Sequence, residues 1–138
     1  MKVVTQQYTL LDRTSRRLVQ RVGDGSIVTR FEKTPLPVEC ADVVCPHFLE
    51  LKWATGCPYD CAWCYLKGTL RFAPKKAGPY FKDLGKVEEH VTAFLSQVDW
   101  CQELLNTGEL ADSLMAENNG NSFSEFILSL FSVQDKHK

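Results

Sequence analysis

Residues 47–66 have the sequence HFLELKWATGCPYDCAWCYL, which joins a short alternating segment to three closely spaced cysteines. Leu49, Leu51 and Trp53 alternate with other residues, and a period of two is typical of a β-strand. Gly56 ends the predicted strand, so the cysteines lie in the loop that follows its carboxyl end.

The opposite face of this predicted strand carries Glu50 and Lys52. If that face is interior, the two side chains can pair with each other or contact a ligand. Otherwise they lie on a solvent-facing surface, and the sequence leaves both interpretations open.

Two helical patterns and a second strand follow the cysteine loop. Apolar residues recur every three or four positions over residues 84–98, which predicts an amphipathic helix. Residues 102–107 are a plausible short strand, and residues 123–131 have the apolar stripe of a second helix. Ser122 and Glu125 form the pattern of a capping box at the start of that helix. The order strand, helix, strand, helix predicts the beginning of a parallel α/β sheet or barrel.

The sequence divides into an N-terminal extension, residues 1–45, and a strand-and-helix region, residues 46–138. Within the extension, we expect a helix at residues 8–22 and a short strand at residues 26–31. Two parallel strands cannot close a barrel, and a parallel sheet is normally covered on both faces. Residues 46–138 therefore look like the truncated, N-terminal portion of a larger barrel domain. The alternative is a small self-contained α/β domain whose N-terminal segment completes the sheet.

The composition is that of a globular domain. The chain has 138 residues, of which 44% are hydrophobic and 24% are charged, and its net charge is −1. No apolar run approaches the ~18 residues that cross a membrane, and the N-terminus lacks a signal-peptide pattern. We therefore expect a cytoplasmic protein with no membrane partner. In that compartment, clustered cysteines more often bind metal or carry out redox chemistry than form disulfides.

Cys57, Cys61 and Cys64 have the spacing C-x3-C-x2-C. Ordinary electron-transfer clusters use four cysteines, one for each iron of a [4Fe–4S] cubane. Three cysteines in one loop can bind three irons and leave the fourth iron open. An open iron can chelate the amino and carboxylate groups of S-adenosyl-L-methionine, so the spacing favours a cluster of this kind.

The segment resembles the signature of the radical S-adenosylmethionine superfamily, C-x3-C-x-aromatic-C, with Trp63 at the aromatic position. The resemblance implies a partial (β/α) barrel, of which this chain holds the first two β/α units after an N-terminal extension. It also implies that Cys57, Cys61 and Cys64 ligate a [4Fe–4S] cluster and that Trp63 packs near the adenine of S-adenosylmethionine. Enzymes of this family take an electron from an external donor and form a 5′-deoxyadenosyl radical by reductive cleavage of S-adenosylmethionine.

A second motif, Gly108–Glu109, ends the second predicted strand. The family has a Gly-Glu motif there, which implies that Glu109 binds the amino group of S-adenosylmethionine.

The segments GCPYDCAWCYLKGTLRF and NTGELADSL are similar to the spore photoproduct lyase-like, or DNA repair photolyase-like, branch. Tyr65 fits that branch, which implies a lyase that acts on DNA in photoproduct repair. The branch has a hydrogen-donor cysteine near the end of the second strand, whereas Cys101 of this chain precedes the predicted strand.

Other ligand sets and other roles stay open. A zinc site would pair Cys40 and Cys45 with Cys61 and Cys64. An ordinary four-cysteine cluster would add Cys40, Cys45 or Cys101 as the fourth ligand. The chain could also be a truncated or split module that binds the cluster but depends on a second chain for the rest of the barrel.

Residues 51–86 hold seven basic and two acidic residues, a net charge of +5, whereas residues 87–138 have a net charge of −7. The basic residues after the cysteine loop are Lys67, Arg71, Lys75, Lys76, Lys82 and Lys86, with Phe72, Tyr80 and Phe81 among them. Such a stretch either contacts nucleic acid, as in a zinc-stabilised binding domain, or is a solvated loop anchored by its aromatic rings. His90 lies on an acidic helix, and we expect its side chain at the surface.

Overall fold

The computed structural model of the chain describes residues 1–10, 12–32, 47–70, 79–97, 101–117 and 122–138. The elements in chain order are β1 (Val3–Thr9), β2 (Ser15–Val22), β3 (Val28–Arg30), β4 (Leu49–Leu51), β5 (Ala54–Thr55), α1 (Leu66–Leu70), β6 (Tyr80–Phe81), α2 (Leu84–Leu95), β7 (Leu105–Asn106) and α3 (Phe123–Phe131). None of these helices is long and apolar enough to cross a membrane.

A five-stranded sheet in the order β1-β2-β3-β4-β7 is the centre of the fold. Neighbouring strands from β1 to β4 are antiparallel, whereas β4 and β7 are parallel, with Leu49 opposite Leu105 and Glu50 opposite Asn106. β5 and β6 pair in a separate two-stranded sheet. Within the described residues the fold is therefore mixed α/β and no barrel closes, so the partial barrel stays a prediction.

The N-terminal residues form strands rather than a helix. The predicted helix at residues 8–22 is wrong, because β1 and β2 pair as an antiparallel hairpin across this segment. Leu10 N–H donates to Thr14 O at 2.8 Å, and Asp12 Oδ1 accepts from Thr14 N–H at 3.0 Å, which together close the turn. The predicted strand at residues 26–31 is confirmed as β3, and its pairing with β4 places the N-terminal strands in the same sheet.

The hydrophobic core joins β4 to α2. Leu49 and Leu51 of β4 are buried in one cluster with Val87, Val91 and Phe94 of α2. The amphipathic helix expected in this region is thereby confirmed, and the burial of its apolar stripe against the sheet stabilises it.

α3 begins where the capping pattern predicted. Ser122 Oγ accepts a hydrogen bond from Glu125 N–H at 3.1 Å, and the Ser122 hydroxyl itself donates to the carboxylate of Glu117. Phe123, the first residue of α3, stacks on Trp53 with ring centroids 3.7 Å apart. This contact fixes α3 against the segment that leads from β4 into the cysteine loop.

Arg30 and Glu103 form a buried ion pair inside the sheet. Arg30 Nη2 lies 2.6 Å from both carboxylate oxygens of Glu103, and Arg30 Nε donates to Val19 O at 2.7 Å. Val19 N–H donates to Glu103 Oε1 at 3.0 Å. The carboxylate therefore joins β2, β3 and the segment before β7, and its charge is compensated.

The C-terminal residues lie along the outer edge of β7. Lys138 N–H donates to Glu103 O at 3.0 Å, and Leu105 N–H donates to Lys138 O at 2.7 Å. Donors and acceptors alternate here as in a parallel ladder. The ring of His137 is buried beside Phe94, with ring centroids 4.6 Å apart.

Candidate metal centre

The cysteine loop starts directly after β5, at the carboxyl end of the segment that follows β4. Gly56 has a φ of +88°, a backbone conformation that a side chain disfavours, and it turns the chain into the loop. Cys61 is exposed, Cys57 and Cys64 are half-buried, and all three are free thiols. The loop is therefore open to solvent on one side.

Backbone hydrogen bonds shape the second half of the loop. Cys64 N–H donates to Cys61 O at 3.2 Å, and Lys67 N–H donates to Cys64 O at 3.3 Å, which leads the chain into α1. Lys67 Nζ also lies 2.5 Å from Asp60 Oδ1. The hydrogen bond from Lys67 and its positive charge lower the pKa of Asp60. Both side chains are largely exposed, so this ion pair orders the loop only weakly.

The chemistry of the three thiols fits an iron–sulfur cluster, since thiolates are the ligands that such clusters take. Within the described residues, however, no three His, Cys, Asp or Glu side chains are placed as a ready-made set of metal ligands. Binding a cluster would therefore require Cys57, Cys61 and Cys64 to turn their sulfur atoms toward one point. The exposed side of the loop leaves room for such a movement.

The Gly108–Glu109 turn is held by a set of short-range contacts after β7. Asn106 Oδ1 accepts from Gly108 N–H at 3.0 Å, and Thr107 Oγ1 lies 2.8 Å from Ser113 Oγ. A Cβ at position 108 would lie 3.0 Å from Ser113 Oγ, so the close approach of that hydroxyl favours glycine there. Trp53 Nε1 donates to Thr107 O at 2.9 Å and ties the turn to the other strand.

Asn106 and Ser113 shape this turn but were not among the residues predicted from the sequence. An asparagine two residues before a glycine is a turn signal, because its side chain caps a nearby backbone N–H. That signal could have identified Asn106, whereas nothing in the sequence indicates Ser113.

Two hydrogen bonds join the cysteine loop to the Gly108–Glu109 turn. Gly56 N–H donates to Leu110 O at 2.9 Å, at the start of the loop. At its other end, the hydroxyl of Tyr65 donates to the backbone carbonyl of Glu109. The two motifs that the sequence predicted to act together are therefore neighbours at the carboxyl edge of the parallel strands.

Tyr65 lies in a region of negative charge. Burial raises the pKa of its hydroxyl, and the charges of Glu109, Cys64 and Glu50 raise that pKa further. These three acidic groups come from the turn after β7, the cysteine loop and β4. Their influence on one hydroxyl shows that all three segments lie around Tyr65.

Glu50 is buried on the sheet, with an exposure of 1%. Of the two predictions for this residue, the structure supports an interior position over a solvent-facing one. Its Oε2 lies 3.0 Å from Lys52 Nζ, whereas its Oε1 has no hydrogen-bond partner among the residues that the structure describes. Leu49 and Leu51 face the helices, so Glu50 between them points to the other face of the sheet. Asn106, its partner in the register with β7, shares that face.

Trp63 is 89% exposed, and Tyr59 and Tyr65 are also exposed. None of these rings fills the core, so the aromatic residues of the loop present flat apolar surface to solvent. Large exposed aromatic side chains close together are typical of binding surfaces.

The remaining candidate residues are spread over the chain. Cys101 is a half-buried free thiol before β7, at the amino end of the strand and away from the cysteine loop. Cys40 and Cys45 lie outside the described residues, as does the middle of the basic stretch, residues 71–78. The prediction that His90 lies at the surface is wrong, because its ring is buried. Within the described part of the chain, its Nδ1 has no hydrogen-bond partner.

Comparison of the chain with protein-family models, with curated proteins and with solved structures finds no match. The functional interpretation therefore rests on the residues and on their arrangement.

Proposed function

We propose that this chain is a radical S-adenosylmethionine iron–sulfur protein. Cys57, Cys61 and Cys64 would ligate a [4Fe–4S] cluster, and Glu109 would bind the amino group of S-adenosylmethionine. The observation that carries the proposal is the pair of hydrogen bonds that joins the cysteine loop to the Gly108–Glu109 turn. Two motifs that are 44 residues apart at Tyr65 and Glu109 meet at one edge, where a single ligand can contact both.

The reaction that we propose is the reductive cleavage of S-adenosylmethionine. A bound cluster would supply one electron from an external donor, which would allow S-adenosylmethionine to be cleaved between sulfur and C5′ into methionine and a 5′-deoxyadenosyl radical. The carboxylate of Glu109 would hold the ammonium group by a charge-assisted hydrogen bond. Trp63 would lie against the adenine ring, and Tyr65 and Gly108 would shape the site around the ligand.

The branch resemblance favours an enzyme with lyase-like chemistry that acts on DNA, in the repair of photoproducts. The basic residues near the loop are compatible with a nucleic-acid substrate. Lys67 and Lys86 are exposed, whereas Lys82 is half-buried and donates to the backbone carbonyl of Ser26. We further propose that β4 and β7 are the first two strands of a partial barrel and that the protein acts in the cytoplasm.

Electron paramagnetic resonance of the anaerobically reconstituted, dithionite-reduced protein tests the proposal. We expect a reduced [4Fe–4S] signal that shifts when S-adenosylmethionine is added, because the ligand binds the open iron. The Cys61→Ala variant should lose the signal, whereas the matched control Cys101→Ala should keep it. Bound zinc without sulfide in the wild-type protein would contradict the proposal and favour the zinc-binding nucleic-acid module.

A second candidate function is a module that binds the cluster but is inactive without a partner chain. The described strands do not close a barrel, and the three thiols are not placed as a set of metal ligands. Both observations favour this candidate. A cluster signal that does not respond to S-adenosylmethionine would support this candidate over the complete enzyme.

A further inference from the structure

We propose that Glu50 is a ligand-binding residue at the same edge of the sheet. Its free oxygen, Oε1, would accept a hydrogen bond from a hydroxyl or amino group of a nucleoside. One such nucleoside is the adenosyl group of S-adenosylmethionine, and this identification rests on the proposed function.

An unpaired buried acceptor is costly to the folded state, and Glu50 carries one. Glu50 and Glu103 are both buried carboxylates. Both oxygens of Glu103 are paired with Arg30, and one of them also accepts from Val19 N–H. Glu50 has one oxygen paired with Lys52, and its other oxygen has no partner among the described residues. A buried acceptor without a hydrogen bond destabilises the folded state, so a further donor is expected at this oxygen, and a bound ligand can supply it.

Glu50 lies close to the Gly108–Glu109 turn. In the register of the sheet it lies between Thr29 of β3 and Asn106 of β7, on the face opposite to the helices. The side chain of Asn106 accepts a hydrogen bond from Gly108 N–H at 3.0 Å and so holds the turn that contains Glu109. Glu50 therefore belongs to the surroundings of the proposed cofactor site.

The ligand at Glu50 should carry a hydrogen-bond donor. Glu50 and Glu109 bring negative charge to this edge, so a neutral or positively charged donor is favoured over an anion at Glu50 Oε1. A carboxylate that accepts from sugar hydroxyls is a common way to recognise a nucleoside. The exposed rings of Trp63 and Tyr65 offer flat surfaces on which a nucleobase can stack.

Unfolding of the ligand-free protein by urea tests whether Glu50 is a structural residue. Glu50 has one unpaired oxygen, and its partner Lys52 is partly exposed and can be solvated without it. Replacing Glu50 by an apolar side chain of similar size should therefore not destabilise the fold. We expect Glu50→Leu to unfold at the same urea concentration as the wild type or at a higher one. Glu103→Leu, which leaves Arg30 buried without its partner, should unfold at a much lower concentration. A large loss of stability in both Glu50→Leu and Glu50→Gln would contradict the proposal, because it would show that Glu50 stabilises the fold.

Isothermal titration calorimetry measures which nucleosides the protein binds and whether Glu50 contributes to their affinity. One arm titrates S-adenosylmethionine, 5′-deoxyadenosine and methionine separately, and a second arm titrates the common deoxynucleosides in the presence of S-adenosylmethionine. Glu50→Gln and Glu50→Leu should weaken nucleoside binding in one arm by about tenfold or more, since a charge-assisted hydrogen bond is lost. Methionine binding should not change. The arm in which the loss occurs identifies the source of the nucleoside.

The exposed residue Glu88 provides a matched control, and Glu88→Leu should bind every ligand as the wild type does. The proposal is overturned if both Glu50 variants bind all nucleosides with wild-type affinity, or if the wild type binds none. The cluster signal is read independently on the same samples. Its loss in the wild type would reject the proposed function, while Glu50-dependent binding of 5′-deoxyadenosine would still support this inference.

Discussion

Arg30 and Glu103 are nearly removed from water, with side-chain exposures of 1% and 6%. Removing one partner of a buried ion pair leaves an uncompensated charge, which costs about 3–5 kcal/mol. We therefore expect Arg30→Leu to lower the free energy of unfolding by roughly that amount, as measured by urea denaturation followed by circular dichroism. Arg17 lies exposed on the neighbouring strand, and Arg17→Leu should change the free energy by no more than about 0.5 kcal/mol. Equal effects of the two substitutions would show that the pair contributes nothing beyond an ordinary surface charge.

Two buried histidines predict that the protein loses stability in mild acid. Burial lowers the pKa of His90 and of His137 below the ordinary value of 6.5. Below pH 6.5, the unfolded chain therefore binds protons that the folded chain does not. The contribution of the two histidines to the free energy of unfolding is fully present above pH 6.5 and is lost as the pH falls below it. Protonation of His137 would also break a hydrogen bond, because its Nδ1 accepts from Glu103 N–H at 3.2 Å and must be unprotonated to do so.

The measurement is the urea midpoint as a function of pH, from neutral pH down to about pH 5, which is above the range where carboxylates titrate. The midpoint should fall with decreasing pH in the wild type and fall less steeply in His90→Gln. A midpoint that rises toward acid pH, or the same slope in both proteins, would contradict the role of burial at His90.

At the scale of single residues, the sequence was informative where a motif stands out by its spacing. The cysteine loop and the Gly108–Glu109 turn were singled out in this way, and the structure places them side by side, while their roles as cluster and cofactor ligands stay a prediction. The free oxygen of Glu50 could not be predicted, because it depends on which side chains of other strands reach it. His90 was assigned to the surface from its acidic neighbours, although its burial is decided by the packing of α2 against the turn at Gly23.

Among the elements, the N-terminus of α2 depends on one side chain. Asp83 Oδ1 accepts a hydrogen bond from Lys86 N–H at 2.9 Å and caps the helix. Replacing such a cap with alanine costs about 1 kcal/mol. We expect Asp83→Ala to lower the urea midpoint accordingly, whereas Asp83→Ser, which keeps an acceptor, should retain most of the stability. An unchanged midpoint in Asp83→Ala would show that packing against the sheet holds this helix end without the cap.

The elements that the sequence predicted best were those with a strong apolar period. The stripes of α2 and α3 repeat over several turns, and the start of α3 was also signalled by Ser122. The β1–β2 hairpin was missed because Tyr8, Leu11, Leu18 and Val22 are three, seven and four positions apart, a spacing that also fits one face of a helix. Its turn is set by Asp12 and by Arg13, which has a φ of +66°, and a backbone angle of this kind leaves little trace in the sequence.

Across the whole molecule, the C-terminal residues are part of the sheet and the core. Deleting residues 137–138 would remove the buried ring of His137 and the two backbone hydrogen bonds between Lys138 and the edge of β7. Each lost hydrogen bond costs about 1 kcal/mol, and the loss of the buried ring adds to this. We expect the deletion to lower the free energy of unfolding by about 2 kcal/mol or more.

The control is Lys138→Ala, which keeps the backbone and should have nearly wild-type stability. Urea denaturation of the two variants gives the comparison. If the deletion has no larger effect than the substitution, the last residues do not contribute to the stability of the sheet.

At this scale, the parallel pairing of β4 and β7 could be predicted from the order of elements, and the structure confirms it. The extension of the sheet by β1, β2 and β3 could only be given as an alternative, because pairing between distant strands depends on burial in the folded chain rather than on local pattern. Closure into a barrel stays a prediction, since the described strands neither complete one nor test how it would be completed.

The contact between Lys138 and β7 also has a consequence for synthesis on the ribosome. The β1–β2 hairpin is local and can form early, whereas the outer edge of β7 stays unpaired until residue 138 has been made. During that interval the edge is available to other nascent chains. Slow translation of the residues between β7 and residue 138 would therefore prolong the exposure of this edge, and a chaperone that covers exposed strand edges would have its greatest effect at this stage.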